Sequence, residues 1–161
     1  MVCAIVSSAG CSKDESSAEP QPIILKPSIT FTANGTNYVW PAEYAGILKL
    51  NDSTYVLSST PPMSIVDSAF LIMIRTDSLT KGTYKLINTS PVAPGYGPAV
   101  CLFDNAWYES TDGGDFATVS VSKIHDDLFD GTFVSLMTKA DSSMVKLNIT
   151  NGEFKNLKLH Y

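Results

Sequence analysis

Positive charge is scarce in this chain: Arg75 is its only arginine, and Asp plus Glu outnumber Lys plus Arg by 16 to 11. No basic stripe is available to neutralise phosphates, which sets nucleic acid aside as a partner. Histidine is limited to His125 and His160, and the three cysteines fall in no CxxC or Cys/His spacing, so neither a zinc centre nor a paired disulfide framework is expected. No apolar run approaches the roughly 20 residues of a membrane-spanning helix. The G-x-S-x-G elbow, the phosphate-cradling glycine loop and the H-E-x-x-H pair are all missing. No catalytic residue and no cofactor is therefore assigned, and the expectation is a non-enzyme. What remains is 161 residues, 44% hydrophobic, a composition that suits one self-sufficient globular domain.

The first residues read as an address. A short apolar stretch, Met1 to Val6, leads into Ser8-Ala9-Gly10-Cys11, and Ser12-Lys13-Asp14-Glu15 follows. Small side chains immediately before a cysteine resemble a bacterial lipoprotein signal, and the acidic run after it resembles the surface-export signal of Bacteroidota lipoproteins. The resemblance implies a diacylglycerol on Cys11 and an outer-membrane, surface-exposed location. Residues 1–10 are then the signal, cut short at its start, and Cys3 leaves with it. Residues 11–27 carry Pro20, Pro22 and Pro27 among Ser, Ala and Glu, the composition of a tether that would span about 50 Å when extended. Cys101, in the apolar run Ala99 to Phe103, is expected to be a small core side chain rather than a nucleophile.

From residue 28 to 161 the hydrophobic period is two, with turn signals about every ten residues, which predicts an all-β antiparallel sandwich of roughly ten strands with hairpin connections. Asn34-Gly35 supplies the positive-φ pair of a type I′ turn, placing Phe31 opposite Tyr38 and Ile29 opposite Trp40. Asn151-Gly152 predicts a second hairpin, with Ile149 opposite Phe154 and a bulge at Lys155-Asn156 that keeps Leu157 and Leu159 in phase. Phe70-Leu71-Ile72-Met73 is apolar throughout and predicts a central strand covered on both faces. Segments 60–66 and 88–98, rich in Pro and Gly, are expected to be irregular. Phe129-Asp130-Gly131-Thr132-Phe133 and Ile149-Thr150-Asn151-Gly152-Glu153-Phe154, with Gly82-Thr83-Tyr84, resemble the G-T-F and T-N-G-x-F endings of small Bacteroidota lipoprotein domains. That likeness implies a β-sandwich and no known activity.

Candidate sites are few. Adjacent Trp107 and Tyr108 must point to opposite faces of a strand, and with Tyr96, Asp104 and Asn105 they are the candidates for a sugar-binding platform, in which rings stack on C–H faces and polar groups take hydroxyls. Ordinary edge packing would explain the same rings. Asp112-Gly113-Gly114-Asp115 offers two carboxylates across a flexible turn, a weak calcium candidate that lacks EF-hand spacing and that a Gly-Gly hairpin between Glu109 and Phe116 would also explain. Asp126, Asp127 and Asp130 read as a solvated acidic turn beside His125, and Glu43, Glu109 and Glu153 are too scattered to define a glycosidase pair. Ser53, Ser68 and Ser78 follow aspartates in an Asp-Ser pattern that resembles Bacteroidota O-glycosylation sites. The partners expected are a membrane through the lipid and a glycan, or else an envelope protein complex of which the chain is a structural subunit.

Overall fold

The computed structural model describes residues 26–40, 42–59, 69–87, 99–110, 114–141 and 143–161. Residues 1–25, which hold the expected signal, Cys11 and most of the tether, lie outside that set, as do the two segments expected to be irregular. The first described strand, β1 (Ser28–Ala33), turns through Asn34-Gly35 into β2 (Thr36–Trp40). Both turn residues are left-handed, with φ of 47° and 89°, and the register puts Ile29 opposite Trp40 and Phe31 opposite Tyr38 as the type I′ turn requires. A 3₁₀ turn, Ala42–Tyr44, leads to β3 (Ala45–Asn51), β4 (Thr54–Ser59), β5 (Ala69–Arg75) and β6 (Gly82–Ile87). Then come β7 (Ala99–Phe103), β8 (Ala106–Glu109), β9 (Phe116–His125), β10 (Leu128–Lys139) and β11 (Lys146–His160).

All eleven strands join one sheet in the order β2-β1-β11-β3-β4-β5-β7-β8-β10-β9-β6, and a further β11–β10 pairing closes it on itself. The result is two packed layers. One is β2-β1-β11-β10-β9-β6; the other is β3-β4-β5-β7-β8, joined to the first where β8 meets the end of β10 and β3 meets the end of β11. Pairing is antiparallel except at the second seam, where Leu159 and His160 run parallel to Ile47 and Leu48. Rings from both layers meet in the middle. Phe70 of β5 lies 5.0 Å from Phe133, 5.7 Å from Trp40 and 6.4 Å from Phe31, all of the opposite layer. Phe103 of β7 meets Tyr38 edge-on at 5.0 Å, closing one side of the sandwich.

Four sequence expectations are corrected. Asn151-Gly152 does not turn the chain, because β11 runs unbroken through it. Asn151 (φ 50°) is instead a bulge inside a strand paired on both edges, with β1 on one side and β10 on the other. The bulge expected at Lys155-Asn156 is present at Asn156 (φ 53°), but opposite β10; Asp130 Oδ1 accepts from its backbone N–H at 2.7 Å. In β5, only Phe70, Ile72 and Ile74 are buried, while Leu71 and Met73 are half-buried on the outer face. Finally, Glu109 and Phe116 are not hairpin partners, since β8 and β9 follow one another against β10.

Cys101 is fully buried in the core, and burial pushes its thiol up to about 12. An alkylating reagent at pH 8 is expected to leave the folded protein unlabelled at Cys101 and to modify it rapidly in denaturant. Fast labelling under native conditions would show the thiol to be accessible.

Candidate functional site

The β7–β8 hairpin presents most of the describable candidates. Its two-residue turn is Asp104-Asn105, both left-handed (φ 49° and 58°) and both exposed, a conformation that Asp and Asn tolerate better than other side chains. Phe103 and Ala106 face each other at its base, and Leu102 faces Trp107 one step on. Trp107 is 49% exposed on the outer face of the second layer, whereas Tyr108 turns inward and packs on the core. The adjacent rings therefore do not form one platform. Trp107, Asp104 and Asn105 share the hairpin, Tyr108 is on the far side of the sheet, and Tyr96 lies outside the described residues.

The cross-strand neighbours of Trp107 are apolar. Ala69, Leu102 and Trp107 form one cross-strand row, and the Ala140 N–H donates to the Trp107 carbonyl at 2.8 Å, which brings the β10–β11 turn alongside. In that turn Met144 is 59% exposed, and Asp141 holds the backbone by accepting from the Ser143 N–H at 2.8 Å. Hydrogen bonds from the Ser143 hydroxyl and from Lys139 keep the Asp141 carboxyl down at about 2, so the clamp persists at any ordinary pH. The row Leu48–Val56–Met73 continues the apolar character across this outer face, while the row between, Ser58–Leu71–Val100–Glu109, is apolar only at its centre.

Asp115 is no open ligand for calcium. It is 1% exposed, its Oδ1 takes the Lys146 ammonium at 2.8 Å and its Oδ2 accepts from Thr138 at 2.8 Å, so an ammonium already occupies the place a cation would need. Its proposed companion Asp112 lies outside the described residues. Among the described residues, no group of three or more His, Cys, Asp or Glu is placed to hold a metal ion. Asp126 and Asp127 are exposed and form the two-residue β9–β10 turn (φ 48° and 62°), whereas Asp130 secures the Asn156 bulge. His125 is half-buried, with a shielded Nδ1 that has no hydrogen-bond partner. Glu43 and Glu153 are exposed while Glu109 is buried, and Lys155 pairs with Glu153 at 2.9 Å. Ser53 and Ser78 are exposed at turns; Ser68 lies outside the described residues.

The other outer face differs in kind. From β2 to β6 one row runs Val39, Thr30, Glu153, Thr132, Ser120, Thr83, nearly all hydroxyl or charged. At its β2 end is a shallow depression of about 320 Å³ lined by Thr30, Phe31, Thr32, Asn37, Tyr38, Val39 and Asn151. Nothing in the local sequence signals it, because Asn151-Gly152 reads as a hairpin turn and alternating threonines are common on any strand face. Only the strand pairing, which brings Asn151 beside Thr32 across more than a hundred residues of chain, assembles the feature.

Truncation of the two adjacent rings should separate these roles. Trp107→Ala is expected to change stability by less than about 1 kcal/mol, whereas Tyr108→Ala should cost about 2 to 3 kcal/mol, as expected of a ring packed on the core. Thermal melting of the two variants checks this; equal losses would place Trp107 in the core. No protein-family model, curated protein or solved structure matches the chain.

Proposed function

We propose that the chain is a non-catalytic binding module, tethered through Cys11 to the outer surface of a bacterial outer membrane. The observation that carries the binding reading is Trp107, a large ring half exposed on a rigid hairpin whose tip, Asp104-Asn105, offers exposed hydrogen-bonding groups beside it. An aromatic face with a carboxylate and an amide nearby suits a glycan, with the ring stacked on sugar C–H groups and the polar tip taking hydroxyls. A second reading has its own support: Leu102 stands opposite Trp107, and the turn that hydrogen-bonds to the Trp107 carbonyl through Ala140 exposes Met144, apolar side chains that favour a protein partner in an envelope complex.

Two measurements test the proposal. Mass analysis of the native protein should find a diacylglycerol-modified Cys11 at the mature N-terminus, and Cys11→Ala should release the protein from the membrane fraction; an unmodified N-terminus upstream of Cys11 refutes the tether. The same spectrum reads sugar on Ser53, Ser68 and Ser78. A glycan array probed with the wild type and Trp107→Ala then decides the ligand. Array binding lost in the variant supports the glycan reading, while a silent array with Trp107-dependent crosslinking to an outer-membrane protein supports the assembly reading.

A further inference from the structure

The depression beside β2 has a chemistry of its own. Thr30, Thr32, Asn37, Val39 and Asn151 line it together with Phe31 and Tyr38, whose rings stack on each other at 5.5 Å and pack on the core. No carboxylate, ammonium, guanidinium or imidazole lines it. The charges next to it, Glu153 opposite Thr30 and the Lys155 beside it, are paired with each other at 2.9 Å, which disfavours an ionic ligand, and a stacked base would find no outward ring.

What lines it is ordered. The Asn151 amide nitrogen donates to Thr32 Oγ1 at 3.5 Å, and the Thr32 hydroxyl donates on to Asn37 Oδ1 at 2.8 Å. Asn37 is thereby held through its amide oxygen, and Asn151, in the longer contact, through its amide nitrogen. Both side chains are exposed, and among the described residues the Asn37 Nδ2 donors and the Asn151 Oδ1 acceptor make no further hydrogen bond. The backbone cooperates, because the bulge at Asn151 (φ 50°) breaks the strand alternation and re-aims that one side chain toward β1. Beside the amides stands Val39, 77% exposed, a patch of C–H surface on a strand paired along one edge only.

From this arrangement we infer that the β1–β2–β11 depression is a binding site for a neutral saccharide. An amide donor on Asn37 and an amide acceptor on Asn151, both linked through Thr32, match sugar hydroxyls, each of which both donates and accepts. Val39 covers the sugar's C–H face. Hydrogen-bonding sites prepared in advance avoid the ordering cost that flexible surface amides would incur. The inference rests on the reading of the chain as a binding module, but not on Trp107, which lies on the other outer face.

The test uses the full chain, isotopically labelled, titrated separately with maltose, cellobiose and N,N′-diacetylchitobiose while side-chain amide and indole resonances are followed by NMR. The expected result is a saturable shift of the Asn37 and Asn151 amide signals with at least one sugar. Thr32→Val keeps the shape but releases both amides, and should weaken that affinity about tenfold with the melting temperature little changed. Asn151→Gly keeps the left-handed backbone, removes the amide and should abolish the shift. Undisturbed Asn37 and Asn151 signals with all three sugars overturn the site. Shifts confined to the Trp107 indole overturn it too, while upholding the aromatic reading; groove shifts with a silent indole do the reverse. Backbone shifts along β2 produced by an extended peptide, and not by sugar, would reassign this surface to strand addition.

Discussion

Phe70→Ala is expected to destabilise the protein by about 3 to 5 kcal/mol, which for a domain of this size lowers the melting temperature by roughly 10 to 15 °C. The ring is completely buried and is the one that touches Phe31, Trp40 and Phe133 together, so its loss opens a void bounded by aromatic faces from the opposite layer. Those faces belong to paired strands and cannot collapse into the gap without disturbing two registers. Phe70→Leu retains most of the volume and should cost about half as much. Calorimetry on the two variants checks the ranking; a loss below about 1 kcal/mol for alanine would show that the layers are not locked through this ring.

Gly131→Ala should cost about 3 kcal/mol without removing a single contact. A methyl group at Gly131 would run into the Ser120 carbonyl of β9 and meet the Phe154 ring at 2.5 Å, and at Gly152 it would run into the Phe133 carbonyl. Each glycine lies where β10 crowds a neighbouring strand, and the obstacle is partly backbone, which no rotamer change relieves. Gly35 supplies the control: nothing lies within 4 Å of its missing methyl, and only its φ of +89° opposes substitution, so Gly35→Ala should cost about 1 kcal/mol. Denaturant unfolding of the three variants is expected to rank Gly131 and Gly152 above Gly35. Equal effects would mean that conformation, not space, is what these glycines supply.

The same positions show what could be read in advance. Asn34-Gly35 was legible because alternating apolar residues on both sides leave a two-residue loop as the one connection that keeps Phe31 and Tyr38 on a single face. Asn151-Gly152 is the same dipeptide with the same left-handed asparagine, yet it lies inside a strand. The bulge asks a left-handed conformation of Asn151 alone, whereas the type I′ turn asks it of both Asn34 and Gly35. What also separates them is the supply of partners on both edges: β10 precedes β11 directly, but β1 comes from more than a hundred residues away. The alternation in β5 was hidden for a related reason, since Leu71 and Met73 are apolar on a face that looks outward. At the candidate site, strand parity correctly set Trp107 and Tyr108 on opposite faces, but the Lys146 ammonium on Asp115 and the amide relay around Thr32 both depend on long-range pairing that local spacing does not carry.

The pairing of β1 with β11 also governs when the molecule can form. Asn34 and Asn148 exchange hydrogen bonds although 114 residues separate them, and the second seam is closed by Leu159 and His160. The first hairpin is local and cheap to nucleate, but its outer neighbour is the last strand of the chain, so loop closure must be met before that contact returns any energy. Folding should accordingly fall in the millisecond-to-second range rather than in microseconds. Until β11 arrives, β1, β3 and β10 each expose an unsatisfied edge, and a chain emerging from a ribosome or a translocation channel would hold those edges open to aggregation or to a chaperone.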